Sequence, residues 1–189
     1  MRRILAAVLL AGTMPFAAAP ASASPFCHLP PATWGPAVAI ALAGDWQPGL
    51  SRRTMVAGGQ REQMNLENAA MDRVTMERDG REVRFGPPPH GDFILRAGEE
   101  AMPDLHLPGE AEAPATALLA PALIEVTPNC PPERLPRFMA NRRMAGGQEM
   151  PPGEATIHVF VVDPGRLLVV SLLALDSGER MRAEGVWGR

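Results

Sequence analysis

The chain has 189 residues, 18 basic and 21 acidic side chains and a net charge of −3, and every basic residue is an arginine. A weakly acidic chain has no electrostatic attraction for DNA, RNA or anionic lipid, so roles that depend on it are not expected. The length suits one domain able to bury most of its apolar surface.

The first eleven residues set Arg2 and Arg3 ahead of an apolar run, and Ala21-Ser22-Ala23 places small residues at both positions of an A-x-A cleavage site. The run is shorter than the ~20 apolar residues that cross ~30 Å of hydrocarbon. Residues 1–23 therefore read as a Sec-type signal peptide cleaved after Ala23. The destination is periplasmic or secreted, with no membrane span. Removing 23 of the 189 residues leaves 166, and removing two of the 18 arginines leaves 16 against 21 acidic groups. Cys27 and Cys130 are the only cysteines. In an oxidising compartment they are expected to pair, closing a loop of roughly a hundred residues worth ~4–5 kcal/mol of unfolded-chain entropy.

Proline, at 21 residues, breaks helix interiors and central strands. Its clusters mark loops at 30–31, 87–89, 103–121, 128–136 and 151–152, and 103–121 reads as one long surface loop. Val38 to Leu42 has strand character and leads into Gly44-Asp45-Trp46. Ala57-Gly58-Gly59-Gln60 and its echo Ala145-Gly146-Gly147-Gln148 read as turns. Gln60 to Met71 lacks β-branched residues and reads as the one helix. Arg73–Glu77 and Arg81–Phe85 alternate apolar and polar around Asp79-Gly80, a hairpin signal that puts Val74, Met76, Val83 and Phe85 on one buried face. Phe93–Leu95 and Leu123–Thr127 are shorter strand candidates. Thr156–Val162, Leu167–Ala174 and Met181–Trp187 are joined by tight turns into an antiparallel meander. The expected architecture is a single all-β domain over residues 24–189, mainly antiparallel, with at most one or two short helices. Closing into a barrel, wholly or nearly, is the simplest way to manage the sheet edges.

Gly44-x-Trp46 follows an apolar stretch near the mature N-terminus, and the chain ends on a meander finishing Gly185-Val186-Trp187-Gly188-Arg189. This arrangement resembles the lipocalin or wider calycin group of up-and-down β-barrels. The resemblance implies that Trp46 plugs one end of the barrel, with Arg182 or Arg189 as its cation–π partner. It also implies a cup for a small apolar ligand. On the residues alone, Trp46 reads equally as an ordinary core tryptophan. If the barrel forms, Val74, Met76, Val83, Phe85, Val159, Val161, Leu168 and Val170 are the residues expected to line its core or pocket.

Catalytic signals are lacking. None of the mature serines, Ser24, Ser51, Ser171 and Ser177, sits in a Gly-x-Ser-x-Gly elbow. His28, His90, His106 and His158 include no pair at i, i+4. His90-Gly91-Asp92 and Asp104-Leu105-His106 each offer two metal ligands on a loop, and Met102 with His106 is the best thioether–imidazole pair for Cu(I). The expectation is a non-catalytic binding protein without metal or cofactor, holding a small apolar ligand. The alternative is a protein–protein module, such as a periplasmic enzyme inhibitor or envelope assembly factor. That module would act through the pre-ordered Pro87–His90 loop or the Arg134–Arg143 cluster with Arg137, Arg142 and Arg143.

Overall fold

The computed structural model describes residues 24–70, 72–79, 82–85, 93–98, 102–110, 118–119, 130–147 and 151–189. The expected signal peptide, the Pro87–His90 loop and the strand candidate 123–127 lie outside the described residues. No described helix is long and apolar enough to cross a membrane.

A helix, α1 (Pro31–Leu42), precedes ten strands: β1 (Gly44–Trp46), β2 (Gly49–Ala57), β3 (Gln60–Ala70), β4 (Val74–Asp79), β5 (Glu82–Phe85), β6 (Phe93–Ala97), β7 (Arg137–Met144), β8 (Gly153–Asp163), β9 (Arg166–Leu175) and β10 (Arg180–Gly188). A 3-10 turn at Pro132–Arg134 leads into β7. The strands form one sheet in the order β1-β4-β5-β6-β7-β8-β9-β10-β2-β3, antiparallel at every pairing. The sheet curls into a half-barrel that stays open and does not fully close. Its ends draw together at one point, because β1 runs directly into β2 and Gln47 between them pairs with Gly188 of β10.

Two local expectations are overturned. Val38 to Leu42 is helical, the end of α1. A short apolar run does not distinguish a strand from a buried helix. The burial does: Trp34, Val38, Ala39 and Leu42 are buried while Ile40 is 62% exposed, a helical face. Pro31 at the first position presets the helical φ at no cost in hydrogen bonds. Conversely, the expected helix from Gln60 is strand β3. Gly58 and Gly59 take φ of 55° and 77°, the left-handed pair of a two-residue hairpin loop, and that turn locks β3 against β2. Cross-strand pairing with β2 overrides helix propensity here.

The C-terminal meander forms as β8, β9 and β10 and supplies the centre of the molecule. Antiparallel pairing places Val159 opposite Val169 and Val161 opposite Leu167. These four join Trp46, Met76, Val83, Leu95 and Phe138 beneath α1 in the inner core. The intervening residues Phe160, Val162, Leu168 and Val170 face outward, yet they too are buried, under Cys27, Leu105, Leu119, Cys130 and Leu135. Strands β8 and β9 are thus covered on both faces, which accounts for their near-continuous apolar sequence.

The described part of the expected loop 103–121 lies against this outer face. Within it Leu105, Leu107 and Leu119 are at most 5% exposed, so its described residues form a cover over the outer sheet face. The Cys27–Cys130 disulfide, with Cα atoms 5.7 Å apart across 103 residues of chain, anchors the same layer.

Candidate functional site

At one end of the inner core, Trp46 is fully buried and donates its indole N–H to the Leu42 carbonyl at 2.8 Å. The Arg189 guanidinium lies 4.4 Å from the ring centroid. Its Nη2 also donates to the Ala41 and Ala43 carbonyls, at 2.7 and 2.6 Å. Those carbonyls are at the C-terminal end of α1, where a cation is favoured by the helix dipole. Gly44 takes φ of 122° just where Arg189 passes, a conformation that side-chain-bearing residues rarely adopt. Of the two arginines expected near Trp46, Arg189 is the one over the ring. Arg182 is on the opposite face of the sheet.

There Arg182, 2% exposed, makes a two-pronged pair with Glu110 at 2.7 and 2.9 Å and donates to the Leu105 carbonyl at 2.7 Å. Glu110 also accepts the Leu107 N–H at 2.6 Å and pairs with Arg61. Burial works to raise the Glu110 carboxyl, but the bonds from Arg182 and the Leu107 N–H outweigh it, and the group stays below its ordinary range. A second pair, Arg52 with Glu184, is covered alongside, and Arg52 also donates to the Leu118 carbonyl. Charges of both signs therefore clamp the cover to β2 and β10. Sequence reasoning missed these pairs because their partners are distant in the chain. The only local hint was acidic and basic residues interrupting apolar strands.

The residues expected to line a core or pocket divide between the two faces of the sheet where their side chains are described. Val74, Met76, Val83, Val159 and Val161 belong to the inner core, the last four at 0–1% exposure. The backbone of Phe85 pairs with Met76 and Phe93. Leu168 and Val170 pack on the outer face instead. Val159 and Val161 face inward and Leu168 and Val170 outward, since a one-residue step along a strand reverses the side chain. The inner residues pack into one buried cluster with Trp46.

Open space is found on the outer side. A cleft of about 440 Å³ lies between residues 106–108 of the cover and strands β8, β9 and β10. Its lining combines Leu107, Pro108, Leu172, Leu173, Ala174 and Met181 with the polar side chains of His106, Glu154, Thr156 and Arg180. His106 Nδ1 is 2.6 Å from Asp104 Oδ1, which also accepts the His106 N–H at 3.0 Å. The latter bond, then the side-chain contact, holds the Asp104 carboxyl below its ordinary range. No protein-family model matches the chain, and no curated protein matches it. The cleft is therefore judged on its own chemistry: a mostly apolar body with a few convergent polar groups, in the size range of small-molecule sites.

The other candidates are dispersed. Among the described residues no three of His, Cys, Asp and Glu come together as a metal site, while His90 and Asp92 lie outside those residues. Met102 does not join His106; its sulfur receives an N–H of Arg137 at 3.4 Å. The Arg134–Arg143 cluster is no loop surface: from Arg137 it is strand β7, and Arg137 itself is 3% exposed, 5.3 Å from the centroid of Trp34. His158 is also buried. Burial first, and the Arg137 charge second, push its imidazole down to about 4, so it is neutral at physiological pH.

Proposed function

We propose that the protein is an exported, non-catalytic binding protein that takes a small amphipathic molecule in the cleft between residues 106–108 and strands β8–β10. The observation that carries this reading is the cleft itself: about 440 Å³, a mostly apolar lining and a few convergent polar groups, beside the buried core. A volume in that range buries most of a small ligand. Export rests on the reading of residues 1–23, and the disulfide is compatible with an oxidising compartment.

One observation favours a second reading, a protein partner. Met55 and Met64 are 37% and 47% exposed, and Met55 stands opposite Met181 in the pairing of β2 with β10. Exposed, flexible thioethers suit adaptable protein contacts. Native mass spectrometry of the protein recovered from the envelope of its own host separates the two. A retained small molecule is expected. A retained partner chain with no small molecule would replace the first reading by the second.

A further inference from the structure

The proposed cleft has a charge arrangement that specifies its ligand. Strand pairing puts Arg180 opposite Ala174 on one side and Glu154 opposite Ala174 on the other. The three residues form one cross-strand row, with the two charged residues about 9.6 Å apart at their backbones, twice the spacing between strands. The next row repeats the pattern with Leu172 flanked by Arg182 and Thr156. Ala174 and Leu172 thus make a low apolar floor, Arg180 and Glu154 stand at its two sides, and Leu107 and Pro108 form the roof.

Among the described residues neither wall residue forms a salt bridge, although Arg143, opposite Glu154 in the pairing of β7 with β8, adds its charge beside that carboxylate. Salt bridges in this part of the protein join Arg143 to Asp176 and Arg182 to Glu110. Arg180 spends Nη1 on the Leu175 and Glu179 carbonyls, each at 3.0 Å, which orients the guanidinium without cancelling its charge. Glu154 accepts one hydrogen bond, from Asn141 Nδ2 at 2.8 Å, on Oε1. A carboxylate has about four acceptor positions and a guanidinium five donors, so both keep capacity for a ligand.

We propose that the cleft binds short peptides of two or three residues with free termini. The peptide carboxylate pairs with Arg180, its ammonium pairs with Glu154, and an apolar side chain lies on Leu172 and Ala174. Charge complementarity selects a zwitterion, and an extended chain at ~3.3–3.6 Å per residue reaches about 10 Å in three residues. This inference rests on the cleft being the binding site.

Isothermal titration of the full mature protein with Ala-Leu-Ala tests it. Binding with Kd below about 1 mM is expected, with at least tenfold loss for the N-acetylated and for the C-amidated peptide. Arg180→Gln should remove the discrimination against the amide, and Glu154→Gln the discrimination against the acetylated form, with both variants still folded by circular dichroism. Equal affinity for free and blocked peptides, or no binding up to about 10 mM, would overturn the proposal. Native mass spectrometry distinguishes the two failures. A retained small molecule lacking one of the two charges defeats the peptide assignment and keeps the binding reading, whereas a retained partner chain alone defeats both.

Discussion

The two faces of strands β8 and β9 are covered by different physical means. The inner face is covered by mostly apolar side chains from α1, β1 and β4 to β7, with Arg189 over Trp46 and Arg142 over Phe93 at its rim. The outer face is covered by chain without regular secondary structure over residues 102–107, tied down by a disulfide, by the buried Arg182–Glu110 pair and by the Arg52 bond to the Leu118 carbonyl. Non-directional apolar packing holds the inner face. The outer cover adds discrete polar and covalent ties to its own apolar contacts through Leu105, Leu119 and Leu135, and the cleft lies beside them.

The sharpest way to break this comparison is to truncate one anchor on each face. Trp46→Ala should cost about 3–5 kcal/mol through lost burial and a cavity. Arg182→Ala should cost a similar ~3–5 kcal/mol, because it leaves the Glu110 carboxylate buried without its main partner. The faces should then separate in a double replacement. Arg182→Met with Glu110→Leu should regain at least half of the loss, since neither charge is left unpaired. Urea unfolding of the three variants checks this. Failure of the double variant to recover would mean that the outer pair contributes more than mutual neutralisation.

Removing the disulfide by Cys27→Ala with Cys130→Ala should cost about 2–5 kcal/mol, again measured by urea unfolding. Hydrogen exchange should rise in residues 102–110 and 130–135 before it rises in β8 and β9. Uniform loss of protection would erase the distinction between a pinned cover and a packed core.

Acid should act on the outer face through His158. Its folded imidazole titrates at about 4, against ~6.5 in an unfolded chain. Between these values the unfolded chain takes up a proton that the folded chain refuses. Stability is therefore lost as pH falls from 6.5 to 4, by about 3 kcal/mol in full. His158→Gln should flatten this part of the profile in thermal melts from pH 7 to 4. The lowered Glu110 carboxyl adds its own loss at more acid pH, as it protonates.

The inner face was the more legible in sequence. Alternation in Arg73–Phe85, the apolar run at 167–174 and the Gly44-x-Trp46 motif pointed to a β domain with Trp46 in its interior, because period-two burial leaves a local record. The outer face left none: Arg182 and Glu110 are 72 residues apart, and no periodicity links them. The same gap hid which faces the apolar strand residues take. Val159 and Leu168 looked equivalent as apolar strand residues, and only the register opposing Val159 to Val169 shows that they face opposite ways. Cys27 and Cys130 were the exception, a long-range tie readable because only one pairing was available. The cleft arises where cover and sheet meet, so no single segment announces it.

The most direct test of a binding site in the outer cleft is Ala174→Leu, which raises the cleft floor and, at a half-buried sheet position, should change stability by less than about 0.5 kcal/mol. Native mass spectrometry of this variant and the unaltered protein, recovered alike from the host envelope, should show a small molecule retained by the latter and lost from the folded variant. Equal retention by both would place the ligand elsewhere and contradict the account.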